Sequence, residues 1–418
     1  MLRQPAFGSR LKKLRLARGL SQTALAGSGM STGYLSRLES GGRQPTDRAV
    51  GYLAERLGVQ PADFEEPAAG SLAHALTLAA STGAGTALDV LREAYAAESH
   101  EAPVLRWQAL WLLARSRRLE GDHLGERAHL EELVSLGDEV ALPELRVRGM
   151  TRLARCLRSV GDIQAALSLS ENAHRLAVEA DLGVEDRVGV LLALVSVEAE
   201  AGRLPDARVH ADELTELVEG RRDTLWAEAL WTTAAVRMRQ GDYPGAQHAL
   251  EQALAGFPSA EDLTLWVRLR IAGGRLHLQK IPAEPAAAQH CLEEAKSALV
   301  FVRTEALEQE LAALEADLAF VTGRYDDARA LLAGLARDEL LMTYRDRVRF
   351  DVLRHQLRVL EGDESGVEGL RALAEQTQHN GNIDLAAEIW RILAEALTRL
   401  RSASAPLLPG PAREPHQL

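Results

Sequence analysis

Between Phe7 and Gly58, short apolar stripes recur at helical spacing and are broken at close intervals by Gly, Ser and Pro. Leu11, Leu14 and Leu16 mark a first helix that Gly19 ends, and Ser21 is placed to N-cap a short second helix carrying Leu25 and Ala26. The Gly27–Gly29 turn leads to Ser31, the expected cap of a third helix. There Tyr34, Leu35 and Leu38 fall at i, i+1 and i+4 and share one buried face, leaving Thr32, Gly33, Ser36 and Arg37 outside. Pro45 and Thr46 open a fourth helix that runs to Gly58. Two short helices joined by a glycine-bearing turn, the second polar outside, suit insertion into a DNA major groove.

Beyond Gly58 the pattern changes. Residues 64–71 read as a linker, and from there helical stretches are punctuated by a Gly followed by Asp or Arg: Gly121, Gly161, Gly202, Gly241, Gly323 and Gly362. The spacings are 40, 41, 39, 82 and 39 residues, so one turn is missing, and it is set at Ile281. Gly83 stands 38 residues before Gly121 and marks a degenerate first repeat. The count is about eight helical hairpins with residues 383–400 as a final helix. Five positions after the turns stand Ala166, Ala207, Ala246, Ala286 and Ala328; seven positions before them stand Ala114, Ala154, Ala234, Gly274 and Ala316. Small residues at both points let the two helices of a hairpin approach closely.

Two family resemblances rest on these residues. The run RGLSQTALA…MSTGYLSRLESG…P…LAERLGV resembles the Cro/C1-type (XRE) helix-turn-helix domain over about residues 8–65, with one residue fewer than the family usually has between Ala26 and Leu38. The resemblance implies a five-helix, lambda-repressor-like head spanning residues 1–66. In it Gln22 would touch a phosphate, Ser31, Thr32, Gly33, Ser36 and Arg37 would face the groove, and Arg43 would meet another phosphate. Arg37 is the expected reader, because a guanidinium bonds guanine O6 and N7 in a bidentate way. The repeat region, residues 67–401, resembles the tetratricopeptide (TPR) repeat. Its period near 40 also suits HEAT-type repeats, but the Gly-Asp turn with its following Ala favours TPR. By TPR geometry the inward positions are Gln108, Trp111, Arg115, Arg118, Arg148, Arg155, Arg158, Glu228, Trp231, Arg268 and Arg275. Such a concave face would hold an acidic peptide or a terminal carboxylate through charge-assisted bonds. The competing reading is that arginine is merely abundant in a chain with only four lysines. Trp111, Trp226, Trp231 and Trp266 are expected in packing.

Charge sharpens the division. Residues 1–60 hold ten Lys/Arg against Glu39, Asp47 and Glu55, a net of +7; since the whole chain is −12, the rest carries −19. A basic head on an acidic body suits one part that meets phosphates and one that does not. Ala, Leu, Glu and Arg dominate and aromatics are only 4%, so the fold class expected is all-α: the helix-turn-helix head, then a TPR-like α-solenoid. Residues 402–418 form a Pro-rich tail expected to be disordered. No apolar run has the length of a membrane span, and the two cysteines, Cys156 and Cys291, fit no metal or redox spacing. That predicts a cytoplasmic protein with buried structural thiols. No catalytic, metal or phosphate-loop motif is present, so neither an enzyme nor a cofactor is expected.

A head of this kind followed by TPR repeats resembles the peptide-pheromone regulators of bacteria (the RRNPP group) and related XRE–TPR transcription factors. The resemblance implies a transcriptional regulator, homodimeric, reading a pseudo-palindromic operator in double-stranded DNA, with a peptide or protein ligand in the repeats. The alternative is a protein-interaction scaffold that sequesters a partner, with DNA binding secondary.

Overall fold

The apolar stripes and capping residues of the first sixty positions specify four helices that wrap one small core. In the computed structural model, which describes residues 4, 6–64, 71–82, 85–97, 102–280, 282–335 and 341–404, these are α1 (Ala6–Ala17), α2 (Gln22–Ala26), α3 (Thr32–Glu39) and α4 (Asp47–Leu57). The fifth element is a single 3₁₀ turn, Pro61–Phe64. Ser21 accepts from the Ala24 N–H (3.0 Å) and Ser31 from the Tyr34 N–H (3.2 Å), as their expected capping roles require, and Thr46, expected to open the fourth helix, caps it by accepting from the Ala49 N–H (3.3 Å). Phe7, Leu11, Leu25, Leu35, Leu38, Leu53, Leu57 and Phe64 form the core. Leu16, expected on the buried stripe of α1, is instead 59% exposed. It follows Arg15 by one residue, and it is Arg15 that takes the inward position.

The chain then continues as helical hairpins: α5 (Leu72–Thr82), α6 (Gly85–Ala97), α7 (Pro103–Leu119), α8 (His123–Val140), α9 (Pro143–Val160), α10 (Ile163–Glu179), α11 (Val184–Glu200), α12 (Leu204–Leu217), α13 (Thr224–Arg239), α14 (Tyr243–Gly256), α15 (Leu263–Gln279), α16 (Pro285–Leu299), α17 (Glu305–Val321), α18 (Tyr325–Gly334), α19 (Tyr344–Leu360), α20 (Ser365–His379) and α21 (Ile383–Ser404). Among the described residues there is no strand, and no helix is long and apolar enough to cross a membrane. The chain forms two compact units, residues 1–112 and 113–418. Residues 65–70 of the predicted linker (64–71), Gly83, Ile281 and residues 405–418 lie outside the described residues, and α21 runs on through Ser404, past the expected start of the tail at 402.

The Gly-Asp signal has a double physical basis. Each of the six turn glycines has a left-handed φ, from +73° at Gly121 to +90° at Gly161, which L side chains adopt only at a cost. The aspartate that follows then caps the next helix: Asp122, Asp162 and Asp242 accept from the N–H groups of Gly125, Ala165 and Gly245. Ala114, Ala154, Ala166, Ala207, Ala246, Ala316 and Ala328 are all fully buried between hairpin helices, and Ala234 nearly so. The missing sixth turn departs from expectation. There Lys280 and Glu284 flank a longer connection, Glu284 precedes α16, and the buried alanine is Ala288, whereas Ala286 is exposed. Cys156 and Cys291 are buried and unpaired with each other; burial pushes the Cys156 thiol up to about 12, so it stays protonated.

Within residues 113–418 the odd-numbered helices pack on one another in order, from α9 on α11 to α19 on α21. From α10 to α20 each even-numbered helix packs on its two chain neighbours. The odd helices therefore line the inner face of the superhelix. That superhelix completes a turn, for α19 meets α9 and α21 meets α11. Three of the turn glycines receive the returning chain: a Cβ at Gly121 would strike Leu341, at Gly161 the ring of Tyr344, and at Gly202 the side chain of Ile383. Asn382 Nδ2 donates to the Gly161 carbonyl (3.3 Å).

Candidate nucleic-acid interface and inner charged face

In the head, α3 is held by a buried carboxylate at its C-terminal end. Arg15 donates to Glu39 through Nε (2.6 Å) and Nη2 (2.9 Å), and Gln22 Nε2 donates to Glu39 Oε2 (2.7 Å). Burial alone would raise the Glu39 carboxyl, but the hydrogen bonds from Arg15 and Gln22 and the Arg15 charge hold it below the ordinary glutamate range. One residue thus ties α1, the start of α2 and the end of α3 together. The short Gly27–Gly29 turn is pinned from α4. Tyr52 donates its hydroxyl proton to the Ala26 carbonyl (2.7 Å) and accepts from the Gly29 N–H (3.2 Å), while Arg56 donates to the carbonyls of Leu25 and Ala24. The Tyr52 ring and Arg56 occupy the space that a Cβ at Gly27 or Gly29 would need, which is why the turn runs on glycine.

The predicted DNA-facing residues fall into two groups. Thr32, Gly33, Ser36 and Arg37 lie exposed on α3, and among the described residues Arg37 has no ion-pair partner. Gly33 faces open space, so nothing inside the head demands glycine there. Ser31 is exposed but its Oγ serves as a cap, and Gln22 is half-buried with its amide directed at Glu39. Arg43 is exposed with its guanidinium 5.0 Å from the Tyr34 ring centroid, a cation–π contact that aims it beside α3.

The inner face of the repeats separates the other predicted residues. Gln108 and Arg115 are exposed. Arg148 is taken by Asp186 (2.6 Å) and Arg275 by Asp346 (2.9 Å), and Trp231 packs against the core around Trp226 and Leu230, so these three are committed inside the chain. Arg268 faces Glu310 at 3.6 Å and Arg155 donates to the Gly189 carbonyl (3.1 Å). Arg118 has neither among the described residues.

The sequence reading missed the densest charge cluster, where α21 returns to the inner face. Asp384 accepts from Arg239 Nε (2.7 Å) and from both terminal nitrogens of Arg345 (3.1 and 2.7 Å), and Glu388 accepts from Arg349 (2.9 Å). Burial opposes ionisation of Asp384, yet the charges of Arg345 and Arg239 hold its carboxyl well below the usual range. Nearby, Asp317 shares a small pocket with Arg275, Asp346 and Arg349 and forms no ion pair among the described residues. Burial pushes its carboxyl up to about 6 against the opposing charges of Arg275 and Arg349; Glu388 and Asp346 add to the rise.

A pH dependence follows with a definite sign. An aspartate in the unfolded chain titrates near ~4. The stability contributed by protonated Asp317 is therefore complete below ~4 and is lost as pH rises through about 6. Asp317→Asn should raise the urea midpoint relative to wild type by more at pH 7 than at pH 4.5. A difference that stays constant over that interval would show Asp317 to be ordinary.

Residues 6–66 match the family described as "Helix-turn-helix domain". The head is a helix-turn-helix domain. None of the curated proteins matches the chain. Among solved structures, a Rap protein complexed with Competence and Sporulation Factor is similar at a TM-score of 0.55, 11% identical, over 95% of this chain and 99% of that one. At that identity the likeness concerns the fold: the helix-turn-helix chain shares an all-helical repeat architecture with it. Bacillus thuringiensis PlcR in complex with the peptide PapR7 and DNA aligns at a TM-score of 0.43, with 16% identity over 73% of this chain and 98% of that one.

Proposed function

We propose that this chain is a sequence-specific, DNA-binding transcriptional regulator whose solenoid senses a peptide or protein partner and whose working form is a homodimer on a pseudo-palindromic operator. The observation that carries the reading is the exposed polar face of α3, with Arg37 in its last turn and without an ion pair among the described residues, in a head whose first sixty residues carry a net +7. Thr32 and Arg37 supply base contacts, while Gln22, Arg43 and the lysines of α1 supply phosphate contacts. For Gln22 this means turning its amide, now on Glu39, outward or sharing its second N–H. Open space at Gly33 lets the α3 backbone approach the groove closely. The Rap protein whose fold is similar is complexed with Competence and Sporulation Factor, which supports a bound ligand here as well.

The test is fluorescence anisotropy of the full chain on duplex from its own upstream region against scrambled duplex, across about 50–200 mM salt. Tight binding to one duplex with a steep negative salt slope supports the regulator. Arg37→Ala should weaken operator binding by about 1–3 kcal/mol and relax sequence preference. An equal loss on both duplexes would reduce Arg37 to a phosphate contact. Absence of binding at low salt would move the function to the solenoid as a scaffold.

A further inference from the structure

The helix α2 is five residues long, too short to secure its own C-terminal end. Its last three carbonyls are taken by side chains from α4. Arg56 donates through Nη2 to Ala24 (2.7 Å) and through Nε to Leu25 (2.8 Å), and Tyr52 Oη donates to Ala26 (2.7 Å). The same hydroxyl accepts from the Gly29 N–H (3.2 Å), just before Ser31 caps α3. Tyr52 and Arg56 stand one turn apart on one face of α4, and the guanidinium lies 5.8 Å from the Tyr52 ring centroid. On the other side of α4, Val50, Leu53, Ala54 and Leu57 are buried in the core of the head. The helix is thus anchored in the core while its outer face grips the end of α2 and the turn.

That grip has little slack. A Cβ at Gly29 would come within 2.5 Å of the Tyr52 ring, and one at Gly27 within 2.9 Å of the Arg56 guanidinium. Glu39 holds the C-terminal end of α3, whereas the N-terminal end follows the turn. Moving the Tyr52 hydroxyl therefore moves the chain that enters α3, and with it Thr32 and Arg37. We propose that Tyr52 and Arg56 are positioning residues for base reading: through the end of α2 and the turn, they set the angle at which α3 presents Thr32 and Arg37 to DNA. A hydroxyl that both donates and accepts, and a planar fork on two successive carbonyls, fix direction as well as distance. This role rests on the regulator reading, since it presupposes a head that prefers one DNA sequence.

The experiment uses the full chain with Tyr52→Phe, which removes only the hydroxyl, and with Arg56→Lys, which keeps the charge but loses the fork. A duplex that the wild-type chain selects from a random library is compared with its scrambled counterpart by anisotropy, and the salt slope counts phosphate contacts. Hydrogen exchange, followed residue by residue, reads the turn. The preference for the selected duplex should fall about tenfold in each variant, the size of one weakened base contact, with the salt slope kept. Exchange at the Gly29 amide should rise about tenfold in Tyr52→Phe, while the Leu11 and Leu53 amides keep their protection. Arg56→Lys separates positioning from a phosphate contact, which a lysine would still make. Wild-type preference in either variant overturns the assignment of that residue, and an unaltered Gly29 amide in Tyr52→Phe overturns the turn as the route. An equal loss on both duplexes with early melting of the head would make the pair structural and overturn the role as well. A wild-type chain that enriches no sequence sinks the regulator reading and this role with it, whereas a preference that the variants share sinks the role alone.

Discussion

Replacing Asp384 with alanine should destabilise residues 113–418 by about 3 kcal/mol or more, the loss expected when one partner of a buried ion pair is removed. The Asp384 side chain is only 10% exposed, and it accepts from Arg239 and Arg345, which are 20% and 14% exposed. Arg239 ends α13, whereas Arg345 and Asp384 belong to the last hairpins, so the carboxylate joins parts of the chain 145 residues apart. Its removal leaves two guanidiniums facing each other, with Glu388, 3.9 Å from Arg345, as a poor substitute. The urea midpoint measures the loss. Hydrogen exchange at the Gly161 and Gly202 turns should rise, because Asn382 and Ile383 dock there from the same segment. The Asp384 contribution is present above the ordinary carboxylate range and is lost as pH falls through its depressed folded value, so wild type and variant should converge in acid. Unchanged stability at neutral pH would mean that apolar docking alone closes the superhelix.

Glu39→Ala is the corresponding change in the head. Glu39 is 9% exposed and receives three hydrogen bonds, from Arg15 and Gln22. Alanine leaves the Arg15 guanidinium, 9% exposed as a side chain, with the Leu20 carbonyl as its one remaining acceptor among the described residues. A loss of about 3–5 kcal/mol is expected, enough to unfold a domain of some sixty residues whose total stability is of that order. Thermal melting should show an early, separate transition, and duplex binding should vanish although no residue on the exposed face of α3 has changed. Glu39→Gln should retain part of the stability, because the amide oxygen still accepts. If Glu39→Ala binds duplex as wild type does, the carboxylate is not what positions α3.

These two sites differ in how far the sequence announced them. Glu39 stands in a helix-turn-helix pattern, and its place beside Leu38 on α3 marks it as a fold residue. Its partners Arg15 and Gln22 were not legible as such, because Arg15 is one of ten basic residues among the first sixty and Gln22 was expected on a phosphate. The caps at Ser21 and Ser31 were legible, since a side-chain oxygen before a helix acts on backbone groups two or three residues away. Leu16 misled for the converse reason: three leucines within six residues cannot all face one side of a helix.

By itself the sequence determined what depends on local spacing. The helical period, the turn glycines with left-handed φ, the aspartates that cap the following helix and the alanines that let hairpin helices touch are all set within about ten residues of chain. So is the split between a basic head and an acidic body. Only the tertiary structure decided which inner arginines are spent. Arg148 meets Asp186, 38 residues on; Arg275 meets Asp346, 71 residues on; Arg239 meets Asp384, 145 residues on, and Arg118 meets no carboxylate among the described residues. A repeat pattern gives the face on which a charge lies. The charge it meets depends on the summed rotation of every hairpin between, and no single repeat encodes that sum.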